Sequence, residues 1–242
     1  MKNYFFNFIE KTHILQNIYL KNKFFLKKKT YSMHGEDLAV EKYFEEIDNG
    51  FYVDLGCYHP IQHNNTTLLY QKGWRGINID INEFSIKLFN FCRPDDLNLN
   101  LAVSDKNGEI DFYYQKKLSL LSTIKKSQCN FAFQGKINNK KILSQTLTKV
   151  LDDSKYKGKQ IDFLDIDIEG ADLDVLKSLD FSRYSPKLIC VEILPENMDF
   201  HNKKEWWSNI NIEKSDIYNF LKVKNYQKIW SGIFNHIFVR NL

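Results

Sequence analysis

Val53-Asp54-Leu55-Gly56-Cys57-Tyr58-His59-Pro60, and then Gly76-Ile77-Asn78-Ile79-Asp80, is the stretch that decides the fold. The apolar run 51–55 stopped by Gly56 predicts a buried strand entering a tight turn, where glycine tolerates close backbone approach. Residues 64–72 predict a helix, with Asn64 or Asn65 as N-cap and Gly73 closing it. Residues 76–79 predict a second strand that ends on Asp80, 26 residues after Asp54. Strand, helix, strand is the unit of a parallel sheet.

The same alternation continues outward. Residues 38–44 read as a short helix before the first strand. Residues 83–91 read as a helix closed by Arg93-Pro94. Leu97, Leu99, Leu101 and Val103 alternate as a third strand, and Asn107-Gly108 then turns a hairpin into Ile110, Phe112 and Tyr114. Residues 116–141 are polar and irregular, as expected of a loop over a site. Residues 161–166 and 188–193 read as further buried strands, with a helix at 171–179 between them. Ser215 caps a helix at 216–222, and 226–230 with 236–239 form a closing antiparallel pair. The expected architecture is therefore α/β: a Rossmann-like, mostly parallel seven-stranded sheet with helices on both faces. Ligands in such sheets sit beyond the carboxyl ends of the strands.

Residues 1–29 form a separate amphipathic helical segment ahead of one domain, 30–242. Phe5, Phe8, Ile9, Leu15, Ile18, Tyr19 and Leu26 recur at roughly helical spacing over 4–26. The segment holds seven Lys against one Glu, so of the net charge of +4 the remainder carries −2. The body lacks the clustered positive charge of a nucleic-acid groove. The helix is expected to pack on the core or on a second subunit, compatible with a homodimer; the sharper reading is a peripheral membrane helix. No run is long and apolar enough to span a bilayer, and the N-terminus lacks a signal peptide's h-region. Cys57, Cys92, Cys129 and Cys190 form no CxxC pair and read as free thiols in a reducing cytoplasm.

Asp80 ends its strand where a carboxylate accepts both hydroxyls of an adenosine ribose. A dinucleotide would need a second glycine where Tyr58 and Pro60 stand, whereas S-adenosylmethionine has no pyrophosphate and tolerates that bulk. The blander reading is an ordinary strand-to-helix turn with a solvated Asp. Asp165-Ile166-Asp167-Ile168-Glu169-Gly170 puts three carboxylates at one strand end on one parity, and Glu192 ends the next strand. Such a cluster suits a general base, an anchor for an amino group, or a hard-metal site built from Asp165, Asp167 and Glu169. Acids decorating a helix start would look the same. His59, in the first loop, is a further candidate base facing the crevice; His236 reads as structural.

Ser32-Met33-His34-Gly35-Glu36-Asp37-Leu38, Tyr52-Val53-Asp54-Leu55-Gly56, Asn64-Asn65-Thr66, Lys72-Gly73-Trp74-Arg75-Gly76-Ile77-Asn78-Ile79-Asp80, Ala102-Val103-Ser104-Asp105 and Asp167-Ile168-Glu169-Gly170, in this order, resemble the FkbM-type methyltransferases, in the branch found among bacterial surface-polysaccharide genes. The resemblance covers about residues 30–195. It implies a class I methyltransferase fold, S-adenosylmethionine as donor, and O-methylation of a sugar or nucleotide-linked sugar in capsule or lipopolysaccharide assembly. Carried over, Asp54, Gly56 and Asp80 hold the cofactor, Ser104 and Asp105 lie near adenine, and Ser32 and Glu36 reach over it. Asp167, Glu169, Glu192 and His59 are the candidate bases, in that order. His34 and Asp165 depart from the family's usual residues, and the second change keeps a divalent metal in play. The rival readings are a non-catalytic module that keeps the cofactor pocket, a sugar-nucleotide enzyme without a methyl donor, and methylation of a phosphoramidate or other small capsule group. The location expected is cytoplasmic, with the first helix as the route to the inner membrane surface.

Overall fold

Among the described residues of the computed structural model there are ten strands: β1 (Phe51–Leu55), β2 (Arg75–Asp80), β3 (Leu97–Asn100), β4 (Ala102–Val103), β5 (Gly108–Tyr114), β6 (Asn138–Gln145), β7 (Phe163–Ile166), β8 (Leu188–Glu192), β9 (Tyr226–Ser231) and β10 (Asn235–Arg240). The structure describes residues 2–115, 123, 124, 126, 129, 135–194 and 212–241. The main sheet has seven strands in the order β3-β2-β1-β7-β8-β10-β9. The first five are parallel, and β10 lies antiparallel to both β8 and β9. Strand order reverses between β1 and β7, which opens the ligand crevice of a doubly wound sheet at their carboxyl ends.

Alternation along β1 decides which residues meet which layer. Phe51, Val53 and Leu55 pack on one face against α4 (Leu147–Asp153), α5 (Asp172–Ser178) and α6 (Asp216–Val223). Tyr52 faces the other layer, where Val40 and Phe44 of α2 (Glu36–Tyr43) and its end, Leu69 of α3 (Thr67–Gln71) and Trp74 are buried. Asp54 and Asp165 sit opposite each other in the β1–β7 register, on this second face. The expected α/β sheet with helices on both faces and a closing antiparallel pair is the architecture found.

Three expectations change. The alternation from Leu97 to Val103 is two strands rather than one: β3 stays in the main sheet, and β4 pairs with β6 in a second sheet of order β4-β6-β5. Part of the irregular loop expected over 116–141 is strand: Asn138–Gln145 pairs along β5 from Gly108↔Ser144 to Tyr114↔Asn138. The N-terminal helix, α1 (Lys2–Leu15), passes into a π-helical turn (Gln16–Lys21) and stops short of residue 26. Asn22 ends it by donating both its backbone N–H and its side-chain amide to the Asn17 carbonyl, at 3.1 and 3.0 Å. Among the described residues no helix is long and apolar enough to cross a membrane.

Candidate active site

The crevice is built around Gly56. Its φ is +77°, and a side chain there would put a Cβ 1.8 Å from the Asp167 carbonyl oxygen. The Gly56 N–H donates to Ile79 O at 2.9 Å, and the Asp167 N–H donates to Leu55 O at 3.0 Å. The ends of β1, β2 and β7 are thus drawn together with nothing between their backbones. Asp80 closes the second strand: its carboxylate accepts the Tyr58 N–H at 2.8 Å and the Asn82 N–H at 2.6 Å, and it lines the cleft. Burial pushes the Asp80 pKa up to about 6 against the pull of those two donors. Beside it, Leu55, Ile79, Ile81, Leu101, Ala102 and Val103 form an apolar slot, and Ile124 also lines the cleft.

The far wall is acidic. Asp167, Glu169 and Glu192 all line the cleft. Burial raises the Asp167 pKa to about 7, helped by repulsion from Asp172, Glu36 and Asp54 and opposed by a hydrogen bond with Asn235. Glu169 and Glu192 are both pushed well above the usual carboxylate range, first by burial and then by repulsion from Asp167. Among the described residues Glu192 Oε2 is buried without a hydrogen-bond partner. Glu169 has φ +56°, and Asp172 holds this turn by accepting the Ile168 and Gly170 N–H groups at 3.3 and 3.1 Å. The Thr123 hydroxyl donates to Glu169 O at 3.2 Å, bringing Thr123 onto this wall. Met33, His34, His63, Asn65, Phe234 and Asn235 complete the lining. Among the described residues the lining holds no Lys or Arg.

Gly56, Asp80, Asp167, Glu169 and Glu192 therefore meet in one cleft, while the other residues singled out by sequence lie around it. Asp54 is buried beneath, accepting the Thr66 hydroxyl at 2.7 Å and the Asn64 amide at 2.9 Å. Asp165 lies on the same inner face, accepting the Asn65 amide at 3.1 Å. It does not join Asp167 because β7 ends at Ile166 and its alternation ends there too. The three proposed metal ligands do not converge; among the described residues no group of three or more His, Cys, Asp or Glu is set to hold a metal ion. Ser32 donates to Asp37 Oδ1 at 2.7 Å, and Glu36 accepts the His34 N–H at 2.7 Å, so both brace their own loop. The Ser104 hydroxyl is buried against the Ser144 hydroxyl, 2.7 Å away, and Asp105 is exposed; Ala102 and Val103 take the lining position instead because β4 has left the main sheet.

His59 requires the largest correction. Its ring is buried away from the cleft, with Nε2 2.7 Å from Asn17 Oδ1 and Nδ1 accepting the Ile61 N–H at 3.1 Å. Burial and nearby Lys28 and Arg93 lower its pKa to about 3, so it is a neutral strut between the first loop and the N-terminal segment. The positive φ of Tyr58, +49°, is the backbone feature that turns Tyr58 to the cleft and His59 from it. Arg93 was overlooked: almost wholly buried, it donates at 2.8 Å to Thr66 Oγ1, Pro60 O, Asn64 Oδ1 and Thr67 Oγ1. It ties α3 and the first loop together and balances Asp54 and Asp96. Only its position after an apolar helix hinted at burial. Phe234 and Asn235 were legible in principle, since the turn of a hairpin beside the strand ending at Glu192 must fall at the crevice.

The family model described as Methyltransferase FkbM domain matches residues 54–228. No curated protein matches the chain at a significant level.

Proposed function

The chain belongs to the FkbM methyltransferase family, and from that premise we propose that it is an S-adenosylmethionine-dependent O-methyltransferase acting on a sugar or nucleotide-linked sugar hydroxyl. The observation that carries the reading is the acidic lining of the cleft: Asp80, Asp167, Glu169 and Glu192 line it, with no Lys or Arg among the described lining residues. Burial, with repulsion from neighbouring carboxylates, raises the pKa of all four carboxyl groups, and a cation beside them favours their charged form. That suits a donor whose methionine half carries an ammonium and a sulfonium, and it gives no cation to the pyrophosphate of a dinucleotide. Bound in this cleft, the donor supplies a methyl group on a positively charged sulfur. In this reading Asp80 would accept the ribose hydroxyls, the slot of Leu101, Ala102 and Val103 would hold the adenine, and the acidic wall would face the ammonium.

The chain's task is then positioning and proton removal. An acceptor hydroxyl must lie in line with the methyl–sulfur bond, and held geometry accounts for most of the rate. The donor would give its methyl to that oxygen, with the carbon–sulfur bonding electrons staying on sulfur. The hydroxyl proton goes to a carboxylate of the wall. Asp167, whose pKa burial raises to about 7, titrates near neutral pH and is basic enough to take it. A role in surface-glycan assembly rests on the family resemblance alone. The direct test incubates the protein with methyl-labelled donor and a panel of sugars and nucleotide sugars. A labelled methyl ether on one of them supports the reading. Label on nitrogen or carbon, or on a non-sugar acceptor only, overturns its acceptor half.

A further inference from the structure

The N-terminal segment leaves an apolar face open that nothing described covers. Leu20 is 75% and Phe25 68% exposed, and Phe8, Phe24 and Leu26 are exposed beside them. The inner side of the same segment is fastened. Ile18 is fully buried, Asn17 holds the His59 ring, and Lys28 Nζ donates to Ile61 O at 3.2 Å. Glu10 pairs with Lys87, and Tyr19 packs edge-on against Phe91 with ring centroids 6.2 Å apart. The exposed side chains therefore cannot turn inward without breaking these contacts. They are interleaved with exposed Lys21, Lys23, Lys27 and Lys29, and residues 11–35 contain no Asp or Glu.

We infer that this face docks on an anionic lipid bilayer surface, with Leu20, Phe24, Phe25 and Leu26 entering the headgroup–acyl boundary and the four lysines meeting lipid phosphates. Charge complementarity selects this occupant. The body beyond residue 29 carries a net −2 spread over more than two hundred residues, a weak partner for such a concentrated basic strip, whereas an anionic leaflet offers a continuous negative surface. Aromatic and leucine side chains framed by lysines are the composition of an interfacial segment. The segment braces His59 and Ile61, neighbours of the cleft-lining Tyr58 and His63. Docking would therefore hold the rim of the cleft close to the bilayer.

The test is co-sedimentation of the full chain with phosphatidylcholine vesicles, with and without phosphatidylglycerol, over a salt series, beside light scattering for the oligomeric state. The expected result is binding to the anionic vesicles that weakens as salt rises, and little to the neutral ones. Lys21→Gln with Lys27→Gln and Lys29→Gln should weaken it by about fivefold per lysine. Leu20→Ser with Phe25→Ser should weaken it about tenfold or more. All five positions are exposed, so both variants should keep the parent's circular dichroism and melting midpoint, and a variant that does not is replaced by Phe25→Ser alone. No binding to anionic vesicles, equal binding to both kinds, or binding unchanged in the variants overturns the inference. A dimer that the Leu20 and Phe25 substitutions convert to monomer, without vesicle binding, assigns the face to a second copy of the chain instead.

Discussion

Gly56→Ala perturbs the contact on which the cleft is built. The added Cβ would lie 1.8 Å from the Asp167 carbonyl oxygen and 2.8 Å from its carbonyl carbon. Real Cβ contacts essentially never fall below 3.0 Å, so the two loops must part by about 1.2 Å. Forcing alanine to φ +77° adds about 1 kcal/mol, and displacing a packed backbone adds roughly 2 kcal/mol more. The sum, about 3 kcal/mol, corresponds to roughly 6–12 °C in melting midpoint for a chain of this size. Gly158→Ala is the matched control: its φ is +74°, yet a Cβ there meets nothing within 4 Å. It should lose about 1 kcal/mol from backbone strain alone. Moving the candidate base by about 1 Å should also lower turnover about 10²-fold. Urea unfolding of both variants, with turnover measured alongside, checks this. Equal stability of the two variants, with turnover intact in Gly56→Ala, would refute the close-packed cleft.

Arg93→Met should destabilise the fold by about 3–5 kcal/mol in denaturant unfolding, because Asp54 and Asp96 would stay buried without their cation; Arg93→Lys should recover little, since one ammonium cannot reproduce the fork. Asp80 and Asp167 have raised pKa values of about 6 and about 7. Between about pH 4 and 7 the folded state thus keeps protons that the unfolded chain has lost, and stability falls as pH rises through that window. Asp167→Asn should therefore be more stable than the parent at pH 8, by roughly 1–2 kcal/mol given the half-buried position, and equal to it near pH 4. The same variant should lose about 10²-fold in turnover, and the parent's rate should rise with pH to a plateau with a midpoint near 7. EDTA should leave turnover unchanged; loss restored by Mg²⁺ would make the acidic wall a metal site.

The core of the fold was legible because its strands are buried on both faces and read as continuous apolar runs between turn signals. Asn138–Gln145 was not, because its solvent-facing positions carry Asn139, Lys140 and Lys141 and it pairs in a half-open sheet. Parity grouped Asp165 with Asp167 and Glu169, but it fails where a strand stops, as after Ile166, and it could not show that Asp165 sits opposite Asp54. Gly56 and Asp80 were recognisable because a turn without room for a Cβ and a carboxylate at a strand end are local requirements. His59 and Ser104 depend on loop angles and strand partners set by distant residues, Asn17 and Ser144. The buried Arg93 hub drew its acceptors from a strand, a loop and a helix spread over residues 52–67, an arrangement that local pattern cannot carry.

Calorimetric titration of S-adenosylhomocysteine into the full chain, beside Asp80→Asn, tests the central claim most directly. The account predicts saturable binding in the micromolar range, about −8 kcal/mol, weakened by roughly 2 kcal/mol in the variant as a charge-assisted hydrogen-bond acceptor is lost. No saturable heat at millimolar ligand, or an affinity untouched by Asp80→Asn, would contradict it.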